Sequence, residues 1–285
     1  MNLEKEFEMK KKILTYEVGE RSTLKISALL HLFQESSEQH LASLGLSYER
    51  LKSEGMVFLF ICAKIQINRL PKHGEEIRVL TRPCGTVLTQ FYRKFEIYSE
   101  QEKETVITAL QSSVLVDAKT HKIQRPKVFD RFGINVGKLE KEKLPKIILP
   151  ENMPFVGERP VYYSDLDYNG HLNNAIYADI LCDFLPGGMM GKEIEELQIQ
   201  YLSECKMGEV LKLYAQKNEN EVYFYGDNDR TRSFVCKLLD VYKRQVLTSF
   251  VSLVMREAEE KRSMSAKEKS WILANISLSL IHISV

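Results

Sequence analysis

The sequence predicts an α+β fold built twice, each copy a long helix packed against an antiparallel sheet. Three observations carry this. A helical repeat of apolar residues gives way to strand alternation near residue 58 and again near residue 194. Short polar turns join the strand-like runs, and no recurring crossover helix separates them, which argues against a doubly wound parallel sheet. The two copies start roughly 146 residues apart, a duplication of plan without obvious sequence identity.

The first copy opens with ISALLHLFQESSEQHLASLG. Leu29, Leu32, Phe33, Ser36, Ser37, His40, Leu41 and Leu44 recur at spacings of three and four. They predict a helix from Ser27 to Leu44, about 27 Å long at ~1.5 Å per residue, capped by Ser27 and stopped by Gly45. Ser36 and Ser37 are small enough to let it lie close to its neighbour. Strands are predicted at 58–68, 76–82, 88–98 and 104–117, where alternation such as Phe91-Tyr92-Arg93-Lys94-Phe95-Glu96-Ile97 buries one face.

A first domain at 10–130 is followed by a proline-containing basic linker at 131–160, with Pro145, Pro150, Pro154 and Pro160 and little periodicity. Between Ala118 and Lys146, nine Lys/Arg stand against three Asp/Glu, which fits a solvated linker or the footprint of an acidic partner. The second domain, 161–240, opens on YSDLDYNG. It predicts a helix from His171 to Phe184, ended by LPGG, then strands at 194–204, 209–216, 221–226 and 233–239. Residues 241–285 fit neither copy. They read as one or two appended helices or as a tail foreign to the fold, since LDVYKRQ (239–245) and SLIHIS (279–284) resemble translated adapter sequence.

Composition narrows the function. Hydrophobic residues at 44% and charged residues at 28% exclude a wholly disordered chain. The formal charge of +1 argues against a general nucleic-acid binder. No apolar run reaches the ~18–20 residues of a membrane span, and MNLEKEFEMKKK is unlike a secretory signal. Five cysteines without a CxxC pair point away from a disulfide framework or zinc cluster and towards a reduced, cytoplasmic setting. GxGxxG, Walker-type, HExxH and GxSxG motifs are absent, so no cofactor or metal is expected.

The densest polar constellation is Asp165-Leu-Asp167-Tyr-Asn169-Gly170-His171-Leu-Asn173-Asn174. In an extended segment Asp167, Asn169 and His171 would project to one face. Gly170 permits an unusual backbone angle. The N-terminus of the helix expected to follow offers N–H groups for a developing oxyanion. The plainer alternative is that Asp167 or Asn169 caps that helix and His171 packs locally. A second cluster, Ser203-Glu204-Cys205, offers either a general base or a nucleophile, although a free cysteine is often a small buried hydrophobe. His31 and His40 lie on the first helix, whose lead-in Arg21–Lys25 lacks the Asp/Asn/His set.

YSDLDYNGHLNNAIY (163–177) and QYLSEC (200–205), with SSVLVD (112–117) and KIQRP (122–126), resemble the acyl-acyl-carrier-protein thioesterase family over about residues 10–240. The resemblance implies a tandem (double) hotdog fold and hydrolysis of fatty acyl-acyl-carrier-protein to a free fatty acid, without cofactor. It carries the catalytic roles onto Asp167, Asn169, His171, Glu204 and Cys205. Two mechanisms follow from it, a Cys/His/Asn nucleophilic triad and a carboxylate-activated water, and residues for both are present. Water attack, with Asp167 and Glu204 at the water, is the preferred reading. The implied partner is an acyl carrier protein bearing a phosphopantetheine-linked chain; a homodimer is left open. A basic docking face is expected among Lys119, Lys122, Arg125, Lys127, Lys138, Lys141 and Lys143, and an acyl slot between the first helix and Met56–Phe60. An acyl-CoA thioesterase of the hotdog class and a non-catalytic acyl-binding protein are the alternatives, the latter needing the groove but not the Asp/His/Glu set.

Overall fold

One antiparallel sheet of ten strands organises the molecule in the computed structural model, which describes residues 6–133, 137, 144–190 and 192–242. Two units divide the chain, Met1–Val241 and Tyr242–Val285, and the expected tail lies, after Tyr242, outside the described residues. The first half contributes β1 (Phe7–Lys12), α1 (Ile26–Ser43), α2 (Tyr48–Ser53), β2 (Met56–Ile67), β3 (Glu76–Val87), β4 (Gln90–Ser99) and β5 (Glu104–Asp117). The second contributes β6 (Phe155–Pro160), α3 (Ile176–Asp183), β7 (Lys192–Tyr201), β8 (Val210–Asn218), β9 (Glu221–Asp227) and β10 (Arg232–Tyr242). The strand order, β1-β3-β4-β5-β2-β7-β10-β9-β8-β6, reads as the same five-strand plan run outward in both directions from the β2–β7 seam. That seam is antiparallel, with Lys64 opposite Gln198.

Helix α1 forms because Ile26, Leu29, Leu30, Leu32 and Phe33 make one buried stripe. Phe33 stacks on Phe95 of β4 with ring centres 4.4 Å apart. Ser36 and Ser37, both buried, return their hydroxyls to the Phe33 carbonyl at 3.2 and 2.7 Å, which removes two polar groups from a tight contact. Lys25, with no side-chain cap, stands at the N-cap in place of the expected Ser27. Gly45 ends the helix at φ +74°, as Leu46 N–H returns to the Leu41 carbonyl.

Two strands were not legible as strands, and both are sheet edges. β1 pairs with β3, and its Glu8, Lys10 and Lys12 face outward. β6 pairs with β8 and occupies the last six residues of the stretch expected as a linker. Its Gly157 and Pro160 look like loop signals, but an edge strand tolerates both. Gly157 is there for space, since a Cβ would lie 2.6 Å from the Phe184 ring.

The predicted helix at His171–Phe184 is shorter than expected. α3 begins at Ile176 because His171 bridges to Lys206, Leu172 N–H is taken by the Cys205 carbonyl, and Asn173 Oδ1 accepts Ala175 N–H at 2.9 Å. The helix N-terminus therefore does not stand at His171.

The main core joins α1, α3 and one face of the sheet. A smaller apolar cluster under α2 contains Leu46, Leu51, Met56, Leu115 and Phe129. Phe58, Phe91 and Phe129 meet there with ring centres 5.3–5.9 Å apart. No helix among the described residues is long and apolar enough to cross a membrane.

Candidate active site

The loop before α3 is a tight turn rather than an extended segment. Asp167 Oδ1 accepts the backbone N–H groups of Asn169 at 2.8 Å and His171 at 3.1 Å, and Gly170, at φ +77°, sends its N–H to the Asp167 carbonyl. The carboxylate thereby holds the loop in shape. Below it, buried Asp165 is paired with Arg159 and accepts Tyr162 N–H at 2.7 Å, and these partners hold its carboxyl below the usual range against the cost of burial.

The bridge between His171 and Lys206 carries the Ser203–Cys205 segment alongside the loop. His171 Nδ1 lies 3.3 Å from Glu204 Oε2, with the histidine side chain 26% exposed and the glutamate 38%. Both line a cavity of about 630 Å³ that runs between α1, α2 and the strand face of β2, within the size range of ligand pockets. Asp167 and Asn169 line it too, so four of the five candidate residues share one wall. An apolar cluster lines the cavity as well, with Leu41, Leu46, Leu51 and Met56 packed with Phe58, Phe91 and Phe129.

Cys205 does not join them. It is fully buried, with Sγ 3.0 Å from Ser233 Oγ and 3.6 Å from Asn228 Nδ2, on the core side of the chain. Beyond the end of β7 at Tyr201, the chain thus sends Glu204 to the cavity and its neighbour Cys205 into the core.

Other residues arrive from far away in sequence. Tyr48, in α2, donates its hydroxyl to Asn169 Oδ1 at 2.8 Å. Tyr168 stacks edge-on against Tyr48 at 4.7 Å and donates to Glu38 of α1 at 3.3 Å. Burial, followed by the Glu38 carboxylate, pushes the Tyr168 phenol well up, which keeps it a donor. No local pattern announces Tyr48, whose partner is 121 residues on.

The first half carries the same backbone turn with other side chains. Gly19 N–H to Thr23 O, Leu24 N–H to Pro71 O and the Thr23–Lys72 bridge repeat Asp167 N–H to His171 O, Leu172 N–H to Cys205 O and the His171–Lys206 bridge. Gly19, Arg21, Thr23, Leu70 and Pro71 thus stand where the second half has Asp167, Asn169, His171, Glu204 and Cys205. Arg21 reaches the carbonyls of Met189 and Lys192 and lies 3.6 Å from Glu193.

Comparison with known proteins follows this division. A family model described as the acyl-ACP thioesterase N-terminal domain matches residues 4–130, and one described as its C-terminal domain matches 151–248. An acyl-[acyl-carrier-protein] hydrolase, FATB3, chloroplastic, of Cuphea viscosissima is 25% identical over 213 residues, 70% of this chain and 52% of that protein. Oleoyl-acyl carrier protein thioesterase 2, chloroplastic, of Arabidopsis thaliana is 22% identical over 296 residues, 94% of this chain and 78% of that protein. This chain spans about half the length of the Cuphea relatives. Among solved structures, an acyl-ACP thioesterase from Bacteroides thetaiotaomicron superposes with a TM-score of 0.73 at 18% identity, covering 83% of this chain and 98% of that one. The 12:0-ACP thioesterase from Umbellularia californica gives 0.72 at 17%, covering 84% and 98%. The fold they share with this chain is the tandem hotdog.

Proposed function

We propose that this chain, which belongs to the acyl-ACP thioesterase family, hydrolyses a fatty acyl thioester carried on acyl carrier protein and releases the free fatty acid. One observation carries the reading: the His171–Glu204 pair, 3.3 Å apart, lines a cavity that is also walled by the apolar Leu46, Leu51, Met56, Phe58, Phe91 and Phe129. A thioester combines the same two characters, with a reactive carbonyl at the head and an alkyl tail.

Glu204 is the base. Its carboxylate is half-exposed and faces the cavity, whereas Asp167 Oδ1 is already occupied by two backbone N–H groups. Glu204 takes a proton from water as the water oxygen bonds to the thioester carbon. His171 and the Asn169 amide steady the oxygen that becomes negative, and the C–S bond then breaks as the leaving thiolate recovers the proton. Asp167 acts by holding the loop. Cys205, walled off in the core, is outside this route.

For the carrier, Lys52 and His121 stand in the cavity wall, and Lys119, Lys122, Arg125 and Lys127 surround His121 in sequence, a basic rim that suits an acidic protein. Lys138, Lys141 and Lys143 lie outside the described residues. Hydrolysis of matched acyl-ACP and acyl-CoA esters over several chain lengths tests the proposal. Higher kcat/KM on the carrier protein supports it, equal or higher values on CoA transfer the chain to the CoA-ester reading, and binding without turnover of either leaves an acyl-binding protein.

A further inference from the structure

We infer that Tyr48 is a positioning residue for hydrolysis, acting through the amide of Asn169; the inference rests on the thioesterase reading above. A carboxamide has one acceptor end and one donor end, and only the donor end stabilises a developing oxyanion. Two contacts select the orientation of Asn169. Tyr48 presents a hydroxyl donor to Oδ1 at 2.8 Å, while Asp167 Oδ2 lies 3.5 Å from Nδ2. Turning the amide over would place its oxygen against a carboxylate that can only accept, so Asp167 sets which end faces which way, and the Tyr48 hydroxyl holds the Oδ1 end in place. Together they leave the second N–H of Nδ2 for the thioester carbonyl.

Tyr48 is itself fixed. It opens α2, whose N-cap Ser47 accepts Arg50 N–H at 3.3 Å and whose Leu51 is buried in the apolar cluster. Its ring rests on Tyr168, which is tied to Glu38 of α1. Elements that supply apolar residues to the cavity wall therefore also hold the amide. The two halves of the molecule meet at this contact.

Tyr48→Phe removes one oxygen and keeps the ring packed on Tyr168. With purified full-length chain and a fatty acyl thioester, kcat is expected to fall about tenfold, the kinetic equivalent of one hydrogen bond, with KM within twofold. In an Asn169→Ala background the same change should cost nothing further, because the group it positions is gone. A wild-type kcat in Tyr48→Phe, or an undiminished loss in the double variant, overturns the inference. A readout independent of turnover is the side-chain amide ¹⁵N signal pair of Asn169, assigned by its disappearance in Asn169→Ala. It should lie away from the position of a free side-chain amide in the wild type and move towards that position in Tyr48→Phe; an unchanged pair refutes the positioning role even if no thioester is hydrolysed. Failure of the wild type on every thioester, with the amide still coupled to Tyr48, removes the reaction and leaves the contact.

Discussion

Replacing Cys205 by alanine and Glu204 by glutamine separates the two routes by which this residue set could open a thioester. In Cys205→Ala a fully buried sulfur is lost from the core, and Ser233 Oγ keeps its bonds to Ser203 O at 2.8 Å and Tyr177 at 3.0 Å. No polar group is orphaned, so the cost is a small cavity, about 1–2 kcal/mol. In a unit of this size that lowers Tm by roughly 2–8 °C. If water is the nucleophile, kcat should change by less than about threefold, because nothing lining the cavity has been touched. Glu204→Gln does the opposite. The side chain is 38% exposed and the change nearly isosteric, so stability should hold within ~0.5 kcal/mol. The proton acceptor is gone, however, and kcat should drop ~10²–10⁴-fold, as should His171→Ala. Thermal denaturation and steady-state hydrolysis on the same preparations give both axes. Background activity in Cys205→Ala together with an acyl group trapped on that sulfur in the wild type, found by intact-mass measurement, would refute the water route and require the core around Ser233 to open during turnover.

Three further outcomes are expected. Reversing Lys119, Lys122, Arg125 and Lys127 to glutamate should lower kcat/KM on an acidic carrier more than kcat, with the difference shrinking as salt rises; unchanged kinetics at low salt would move the docking face elsewhere. Leu41→Trp, filling the cavity from α1 beside its apolar cluster, should shift the preferred acyl chain to a shorter one in a chain-length series, and an unshifted preference would place the chain in another space. His40, 2% exposed, has its pKa lowered to about 4 by burial and then by Arg93. The unfolded chain therefore binds its proton first, so this contribution to stability is complete above pH ~6.5 and falls as pH drops towards 4, by up to about 3 kcal/mol. Urea midpoints should fall across this window in the wild type and less steeply in His40→Gln; parallel curves would deny the histidine that role.

Periodicity reveals a helix or strand when burial is one-sided, and α1 and the eight inner strands are of that kind. β1 and β6 were hidden because an edge strand need not bury a face and can hold glycine and proline. The start of α3 was misplaced for another reason. Its lead-in is held open by bonds to Lys206 and Cys205, more than thirty residues away, and propensity contains no information about such partners. The polar loop and Glu204 stand out because such groups are uncommon together in a short stretch. Glu204 and Cys205 were expected at the end of a strand, but β7 stops at Tyr201, and in the segment after it the two neighbours part, Glu204 to the cavity wall and Cys205 to the core. Tyr48, Glu38 and Phe129 carry no local mark; only the closure of the first half over the second brings them to the cavity.

The two copies of the turn differ in their side chains, and the second of them lines the cavity. Both turns share the same backbone bonds, and in the second copy Asp167 adds two side-chain bonds that hold the loop further. In the first copy Gly19 has no carboxylate, Thr23 replaces the imidazole, and Leu70–Pro71 replaces Glu204–Cys205. Arg21, in the position of Asn169, turns to the Met189 and Lys192 carbonyls of the other half. The helices differ in the complementary sense. α1 runs 18 residues and is extended by α2, which lifts a wall over β2 and leaves room for an alkyl chain. α3 runs 8 residues, and beyond it buried Lys192 donates Nζ to the Pro186 carbonyl at 2.7 Å, filling space next to the shorter connection. Each half is therefore incomplete in a different way. Histidine at Thr23 and glutamate at Leu70 would reproduce the pair at positions that do not line the cavity. The cavity draws on both copies, the loop of the second and the helices of the first, and the proposed hydrolysis of a thioester would need both.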